Sequence, residues 1–279
     1  MADRPALPVG RTVTLPAGDV DLRDIAGPDG APTIVLLHGW TATADVNFYK
    51  CYRPLAEHFR VLAFDHRGHG AGIRTAKPFR LADCADDAAA MASAVGVESV
   101  IPVGYSLGGA VAQLLAQRHP DLVRGLVLCS TAARFRTQPS ERVGFYGLGS
   151  LAALARLAPP SARRRLTDRY FVQRRQDDWE PWALDLVANA HDWRMVLEAG
   201  AALGSFDSTS WITQLDIPIA TVITERDEIV PPARQHELAD LADAATWSID
   251  AGHEAAVGAT AQFIPALVAA ITSVVERSS

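Results

Sequence analysis

Residues 100–104 read as a buried strand and residues 107–118 as a helix, with only Tyr105 and Ser106 between them. A chain that passes from strand to helix so abruptly is committed to a sharp turn, and this one carries Gly104-Tyr105-Ser106-Leu107-Gly108. The same change of period recurs along the sequence. Strands are expected at residues 33–37, 61–64 and 123–129, with helices at 48–59 and 81–95. Strand and helix alternating in this way favour a mainly parallel sheet with helices on both faces. Ahead of it, residues 11–15 and 20–24 flank the turn Pro16-Ala17-Gly18-Asp19, which predicts an antiparallel hairpin at one edge.

The alternation stops at about residue 132. From there to residue 211 no strong strand appears, and the segment is rich in Arg, Leu, Ala and Trp. It reads as several helices. Strands then return at 219–224 and 246–249, each followed by a helix, at 232–241 and 260–275. The expected organisation is a core of residues 1–131 and 212–279 interrupted by a helical cap, residues 132–211. Such a cap would lie over the strand ends, where open α/β sheets bind ligands.

The 279 residues suit one large domain, and 49% hydrophobic content allows a sizeable core. A net charge of -6 gives no general attraction to nucleic acid or anionic lipid. Cys51, Cys84 and Cys129 form no CxxC pair and no metal-ligand spacing, which suggests a reducing compartment. The first residues lack the apolar stretch of a secretory signal, and polar residues interrupt every apolar helix short of a membrane span. A cytoplasmic protein without stable membrane insertion is expected.

Gly104-Tyr105-Ser106-Leu107-Gly108 matches the G-x-S-x-G nucleophile elbow. The turn should strain the Ser106 backbone and hold its hydroxyl at a helix N-terminus, where negative charge is favoured. A serine that merely caps the helix is the alternative, but a cap has no need of glycine on both sides.

The elbow is joined by His38-Gly39-Trp40, by Asp65-His66-Arg67-Gly68-His69-Gly70, by Asp227 and by His253. With these the sequence resembles the α/β-hydrolase superfamily, especially its small esterases and cofactor-free haloperoxidase-like hydrolases, over residues 20–275. The resemblance implies the α/β-hydrolase fold, a mostly parallel sheet flanked by helices with an inserted helical cap. It also implies a triad in the order Ser, acid, His, with the His after the final strand. Eight histidines compete for the role of base, and His253 alone satisfies both order and place. His58 and His119 end predicted helices, His191 falls in the cap, His236 on a polar helix face, and His38, His66 and His69 in loops. In the resembling family the acid is an Asp followed by x-x-Val-Pro, which matches Asp227. Glu225 and Glu228 are local alternatives, Asp250 is a weaker one, and a plain acidic turn is the bland reading. The oxyanion donors implied are the backbone N–H groups of Leu107 and Trp40. The Asp65 to Gly70 stretch is a structural loop in that family rather than a metal site, and no cofactor is implied. Arg163, Arg164, Arg165, Arg169, Arg174 and Arg175, interleaved with Asp168, Asp177 and Asp178, read as a solvated helix face.

The expected reaction is carboxylic-ester hydrolysis through an acyl-enzyme. Serine at the elbow disfavours haloalkane dehalogenases and epoxide hydrolases, whose resembling sites carry Asp. Thioesterase, lactonase, amidase, perhydrolase and C–C bond hydrolase stay open, as does a non-catalytic receptor on the same fold. Phe135, Phe145, Tyr146, Phe171, Trp179, Trp182 and Trp193 in the cap, with Trp211 beyond, suggest an apolar inner face and a small apolar ester as substrate. No exposed apolar lid segment is evident, which argues against long-chain lipase activity.

Overall fold

The structure, a computed structural model, describes residues 5–136 and 179–278, with residues 147, 150, 151, 153–155, 157, 159 and 161 between them. Phe145, Tyr146, Phe171 and the charged residues from Arg163 to Asp178 named above lie outside the described residues.

Eight strands form one sheet: β1 Gly10–Leu15, β2 Gly18–Ile25, β3 Thr33–Leu37, β4 Arg60–Phe64, β5 Ile101–Tyr105, β6 Leu126–Cys129, β7 Ile219–Thr224 and β8 Ala245–Ile249. Their order is β1-β2-β4-β3-β5-β6-β7-β8. Strands β4 to β8 and β3 run parallel, and β2 is antiparallel to both neighbours. The edge hairpin is present, with Leu15 opposite Gly18 and Val13 opposite Val20.

Helices cover both faces: α1 Ala44–Phe48, α2 Tyr52–Ala56, α3 Leu81–Ala94, α4 Leu107–Arg118, α5 Pro181–Ala190, α6 Trp193–Leu203, α7 Pro232–Leu241, α8 Ala255–Gly258 and α9 Thr260–Arg277. The strands sort side chains by their two-residue period. Val35 and Leu37 of β3 enter the core under α3 and α4, while Ile34 and Leu36 enter the opposite core with α1, α2 and α9. Among the described residues no helix is long and apolar enough to cross a membrane.

Three local readings of the sequence need correction. The helix expected at 48–59 is two short helices, because Pro54 has no N–H for the Lys50 carbonyl and fits only the first turn of a new helix. The strand expected at 123–129 begins at Leu126. Upstream, Arg124 N–H donates to the Val100 carbonyl, but Leu126 N–H donates to that of Pro218, so the chain changes partner at Gly125. Leu154 and Leu157 are 63% and 86% exposed, so the segment between β6 and β7 does present apolar side chains to solvent.

That segment leaves and returns at one place. Ser208 N–H donates to the Ala133 carbonyl at 2.8 Å, and Arg134 bridges Asp207 in antiparallel fashion. Its described helices α5 and α6 pack on the loop after β3 and on α1. Trp179, Trp182, Trp193 and Val196 share a buried cluster with Ala42 and Val46. Phe135 packs against Phe206 at 6.2 Å between ring centres, and Phe206 against Trp211 at 6.3 Å. The described aromatic residues of this segment are therefore occupied in packing it onto the sheet.

Candidate active site

Ser106 stands between β5 and α4 with φ 54° and ψ -117°. A non-glycine residue at positive φ is strained, and here the strain lifts the side chain clear of the sheet. The turn is tight enough to require glycine on both sides. A Cβ at 104 would collide with the Gly108 carbonyl, and one at 108 with the carbonyl of Leu37. Ser106 N–H donates to the Cys129 carbonyl at 2.9 Å, and its own carbonyl accepts from Thr131 Oγ1 at 2.7 Å. The backbone of the nucleophile candidate is thus pinned to β6 and the residues after it.

Two loops from far along the chain meet this serine. Ser106 Oγ lies 3.1 Å from His253 Nε2, and His253 Nδ1 lies 2.8 Å from Asp227 Oδ2. A carboxylate can only accept, so the Nδ1 proton donates to Asp227 and Nε2 is left to accept from the serine hydroxyl. His253 sits just after β8, in the turn that opens α8, a short helix the sequence reading did not foresee. Tyr105 Oη donates to the His253 carbonyl and fixes that turn from beneath.

Asp227 is buried in the turn after β7. Its Oδ1 accepts from Ile229 N–H at 2.9 Å and Val230 N–H at 2.8 Å. Its Oδ2 accepts from Thr224 Oγ1 at 2.8 Å and Gln235 Nε2 at 3.1 Å, besides His253. Four donors other than the histidine stabilise a buried charge that would otherwise be costly. The alternative acids are engaged elsewhere. Glu225 faces His236 at 3.1 Å, Asp250 pairs with Arg226 at 2.7 Å, and Glu228 is exposed. Thr224 and Gln235 were not anticipated, and no motif marks them. A weak signal is available in hindsight: Pro231-Pro232 starts α7, which places Gln235 on its first turn, facing back toward the loop.

The loop after β3 passes directly against the nucleophile. A Cβ on Gly39 would lie 3.4 Å from that of Ser106. Gly39 N–H is taken by Asn47 Oδ1 at 2.7 Å. Trp40 follows, its indole donating to the Val196 carbonyl of α6 at 2.7 Å, and Thr41 has φ 62°. Leu107 opens α4, so its N–H is one of the helix-terminal donors without an intrahelical acceptor.

Beside this loop lies a buried group of imidazoles. His38 is 4.3 Å from His66 and 5.2 Å from His69, and His69 is 5.1 Å from His191, between ring centres. His38 Nδ1 donates to the Gly39 carbonyl at 2.8 Å, and its Nε2 accepts from His66 N–H at 2.9 Å, a pairing that needs the neutral ring. Burial holds His38 and His69 well below the ordinary histidine range and His66 at about 3. Asp65 accepts from Ala44 N–H at 2.7 Å and Ala71 N–H at 2.8 Å, and burial pushes it up to about 6. Arg67 reaches Asp87 and Asp83 on α3 at 2.5 and 3.4 Å. The Asp65 to Gly70 stretch thus fastens loops to one another. Among the described residues no three His, Cys, Asp or Glu side chains are grouped to hold a metal ion.

Comparison with known proteins fits this architecture. A proline iminopeptidase of Pestalotiopsis fici, PfmaB, is 39% identical over 111 residues, 39% of each chain. A bifunctional esterase/perhydrolase of Acinetobacter calcoaceticus, DCH, is 35% identical over 123 residues, 44% of each chain. The chain therefore spans less than half the length of these two curated relatives. The crystal structure of the enol-lactonase from Burkholderia xenovorans LB400 superposes with a TM-score of 0.76 at 23% identity, covering 94% of this chain and 100% of that one. At that identity the likeness speaks for the fold alone. The family defined by the alpha/beta hydrolase fold matches residues 32–257, most of the chain and every strand from β3 to β8, and the protein belongs to it.

Proposed function

We propose that the protein is a serine hydrolase that cleaves carboxylic esters, with Ser106 as nucleophile, His253 as general base and Asp227 as its partner. The observation that carries this reading is the continuous chain from Ser106 Oγ through His253 to a buried, fully hydrogen-bonded carboxylate, at 3.1 and 2.8 Å. A serine hydroxyl needs such a base to act near neutral pH. His253 takes the Ser106 proton as Oγ bonds to the ester carbonyl carbon. The backbone N–H groups of Leu107 and Trp40 receive the oxyanion, each worth about 3 kcal/mol. His253 returns the proton to the departing alcohol, and water activated by the same ring then releases the acid. The reaction calls for no cofactor and no metal.

Residues 132–211 serve in this reading as a cap over the strand ends, and a small apolar ester is the substrate class. Three free, buried cysteines support a cytoplasmic setting. Perhydrolysis is the second reading, favoured by the 35% identity to the Acinetobacter calcoaceticus protein. There hydrogen peroxide replaces water at the acyl-enzyme.

A fluorophosphonate probe is expected to label Ser106 alone, and Ser106→Ala to abolish labelling while lowering turnover of an activated ester by roughly 10⁴-fold or more. Full labelling at another residue rejects the assignment. A panel of esters, thioesters, lactones and amides, with and without peroxide, separates the bond types. Binding that stabilises the fold without turnover of any of them points to a receptor instead.

A further inference from the structure

Behind the Asp227 loop lies a buried set of hydroxyls, those of Ser130 and Thr224. Ser130, the first residue after β6, has φ 48°, in the left-handed region that disfavours a residue with a Cβ. Its N–H donates to the Val222 carbonyl at 3.2 Å, which holds it there. Its side chain is buried and lies 3.1 Å from Thr224 Oγ1. Thr224 Oγ1 has three acceptors in reach, Asp227 Oδ2 at 2.8 Å, Ser130 Oγ at 3.1 Å and Gln235 Oε1 at 3.3 Å, but one proton to give. The carboxylate is the nearest and the charged one, so it takes that proton. Ser130 is then left to donate to Thr224 Oγ1, and Gln235 Nε2, which donates to the Val230 carbonyl at 2.7 Å, shares its second proton between Asp227 Oδ2 and Thr224 Oγ1.

These contacts make a chain that runs from Ser130 through Thr224 to Asp227 and on to the His253 imidazole, while Tyr105 Oη separately donates to the backbone carbonyl of His253. Backbone strain that persists in a folded protein marks a position the surroundings over-determine, and such positions gather at functional sites. At Ser130 the strained residue is also the one whose hydroxyl meets Thr224.

We propose that Ser130 and Thr224 are positioning residues that fix the Asp227–His253 pair in reacting register with Ser106. They touch no substrate and act through the acid. This inference rests on the serine-hydrolase reading given above.

The test is a set of full-length variants compared by thermal unfolding, steady-state hydrolysis of a p-nitrophenyl ester and the rate of fluorophosphonate labelling. Thr224→Val, which keeps shape but removes the hydroxyl, is expected to lower kcat about 10- to 100-fold with KM within about twofold. Thr224→Ser is expected to restore kcat to within about threefold. Ser130→Gly is the sharper variant, because glycine relieves the positive φ. Its Tm is expected to hold or rise while kcat and the labelling rate fall about tenfold. Should Thr224→Val fail to fold, Ser130→Gly carries the test alone. Wild-type rates in a folded Ser130→Gly protein overturn the proposal, as does a loss in Thr224→Val that follows Tm and is not rescued by serine. A wild-type protein that neither labels at Ser106 nor turns over the ester overturns the serine-hydrolase reading itself.

Discussion

Five donors converge on the Asp227 carboxylate, from Thr224, Ile229, Val230, Gln235 and His253, and four of them would bind it as well if it did nothing but hold a turn. The fifth, from His253 Nδ1, is the one that the proposed relay requires. Asp227→Asn keeps the shape of the side chain but puts an amide where an acceptor is required, so the His253 tautomer that leaves Nε2 free is no longer favoured. Turnover is expected to fall by roughly 10³- to 10⁴-fold. Glu225→Gln and Glu228→Gln, both at exposed positions, are expected to stay within about threefold. Steady-state kinetics of the three variants decides the point, and a severe effect of either Glu with a mild one at Asp227 moves the acid elsewhere. The sequence made Ser106, Asp227 and His253 legible because each sits in a short local pattern: a glycine-flanked turn, an Asp before Val-Pro, a His after the last strand. Thr224, Ser130 and Gln235 were not legible, since their roles come from where β6, β7 and α7 bring them and from no pattern of their own. The orphaned partners of a buried carboxylate cannot be counted until the fold supplies them.

The elements read from the sequence were right wherever period and boundary agreed. Strands β3, β7 and helices α4 and α7 came out with the expected limits, because each is closed by a turn residue or a change of burial period. Expectation failed where a backbone hydrogen-bond partner decided the matter, as at Pro54 and Gly125. Trp179, Trp182 and Trp193, among the aromatic residues after β6, are buried in the seam between α5, α6 and the loop after β3. That seam is close-packed at Trp40, which sits beneath Gly200 of α6. A Cβ at 200 would run into the Trp40 ring, whereas one on Gly258 would meet nothing within 4 Å. Gly200→Ala is therefore expected to cost about 1–3 kcal/mol and to lower ester turnover as well, since Trp40 also belongs to the loop against Ser106. Gly258→Ala serves as the neutral control. Chemical denaturation and kcat measured on both report the two effects, and a Gly200→Ala protein as stable as the control rejects close packing at this seam.

The pH dependence of stability follows from the buried groups behind the site. His38, His66 and His69 are held neutral by burial, with His66 at about 3 against an ordinary value near 6.5. As pH falls below about 6.5 the unfolded chain binds protons on all three while the folded chain does not. Each therefore withdraws up to about 1.4 kcal/mol of stability per pH unit, and its full contribution is present only above pH 6.5. Asp65 has the opposite sign. Raised to about 6, it keeps a proton in the fold that the unfolded chain has already released, so its contribution is complete below about pH 3.8 and is lost as pH rises through 6. Between pH 4 and 6 three imidazoles oppose two carboxyls raised by burial, Asp65 and Asp87, and acid destabilises. The loss should begin where the group joins α5 and α6 to the core. Gly70 N–H donates to His191 Nδ1 at 3.0 Å there, and Arg74 reaches both the Gly70 and Ala190 carbonyls at 2.5 Å. Arg67, paired with Asp87 at 2.5 Å, borders the same seam and keeps its charge through this window, so it sets the field without adding to the slope. Thermal unfolding is expected to show Tm falling steadily from pH 7 to pH 4. His66→Leu removes one of the three protons and two ring nitrogens that have no hydrogen-bond partner, an exchange for apolar surface that is near neutral or stabilising. Its Tm profile should be shallower than that of the wild type, by about one proton's worth of slope. A wild-type Tm that stays level from pH 7 to 4, or a variant whose profile runs parallel to it, excludes the imidazole group as the source of acid sensitivity.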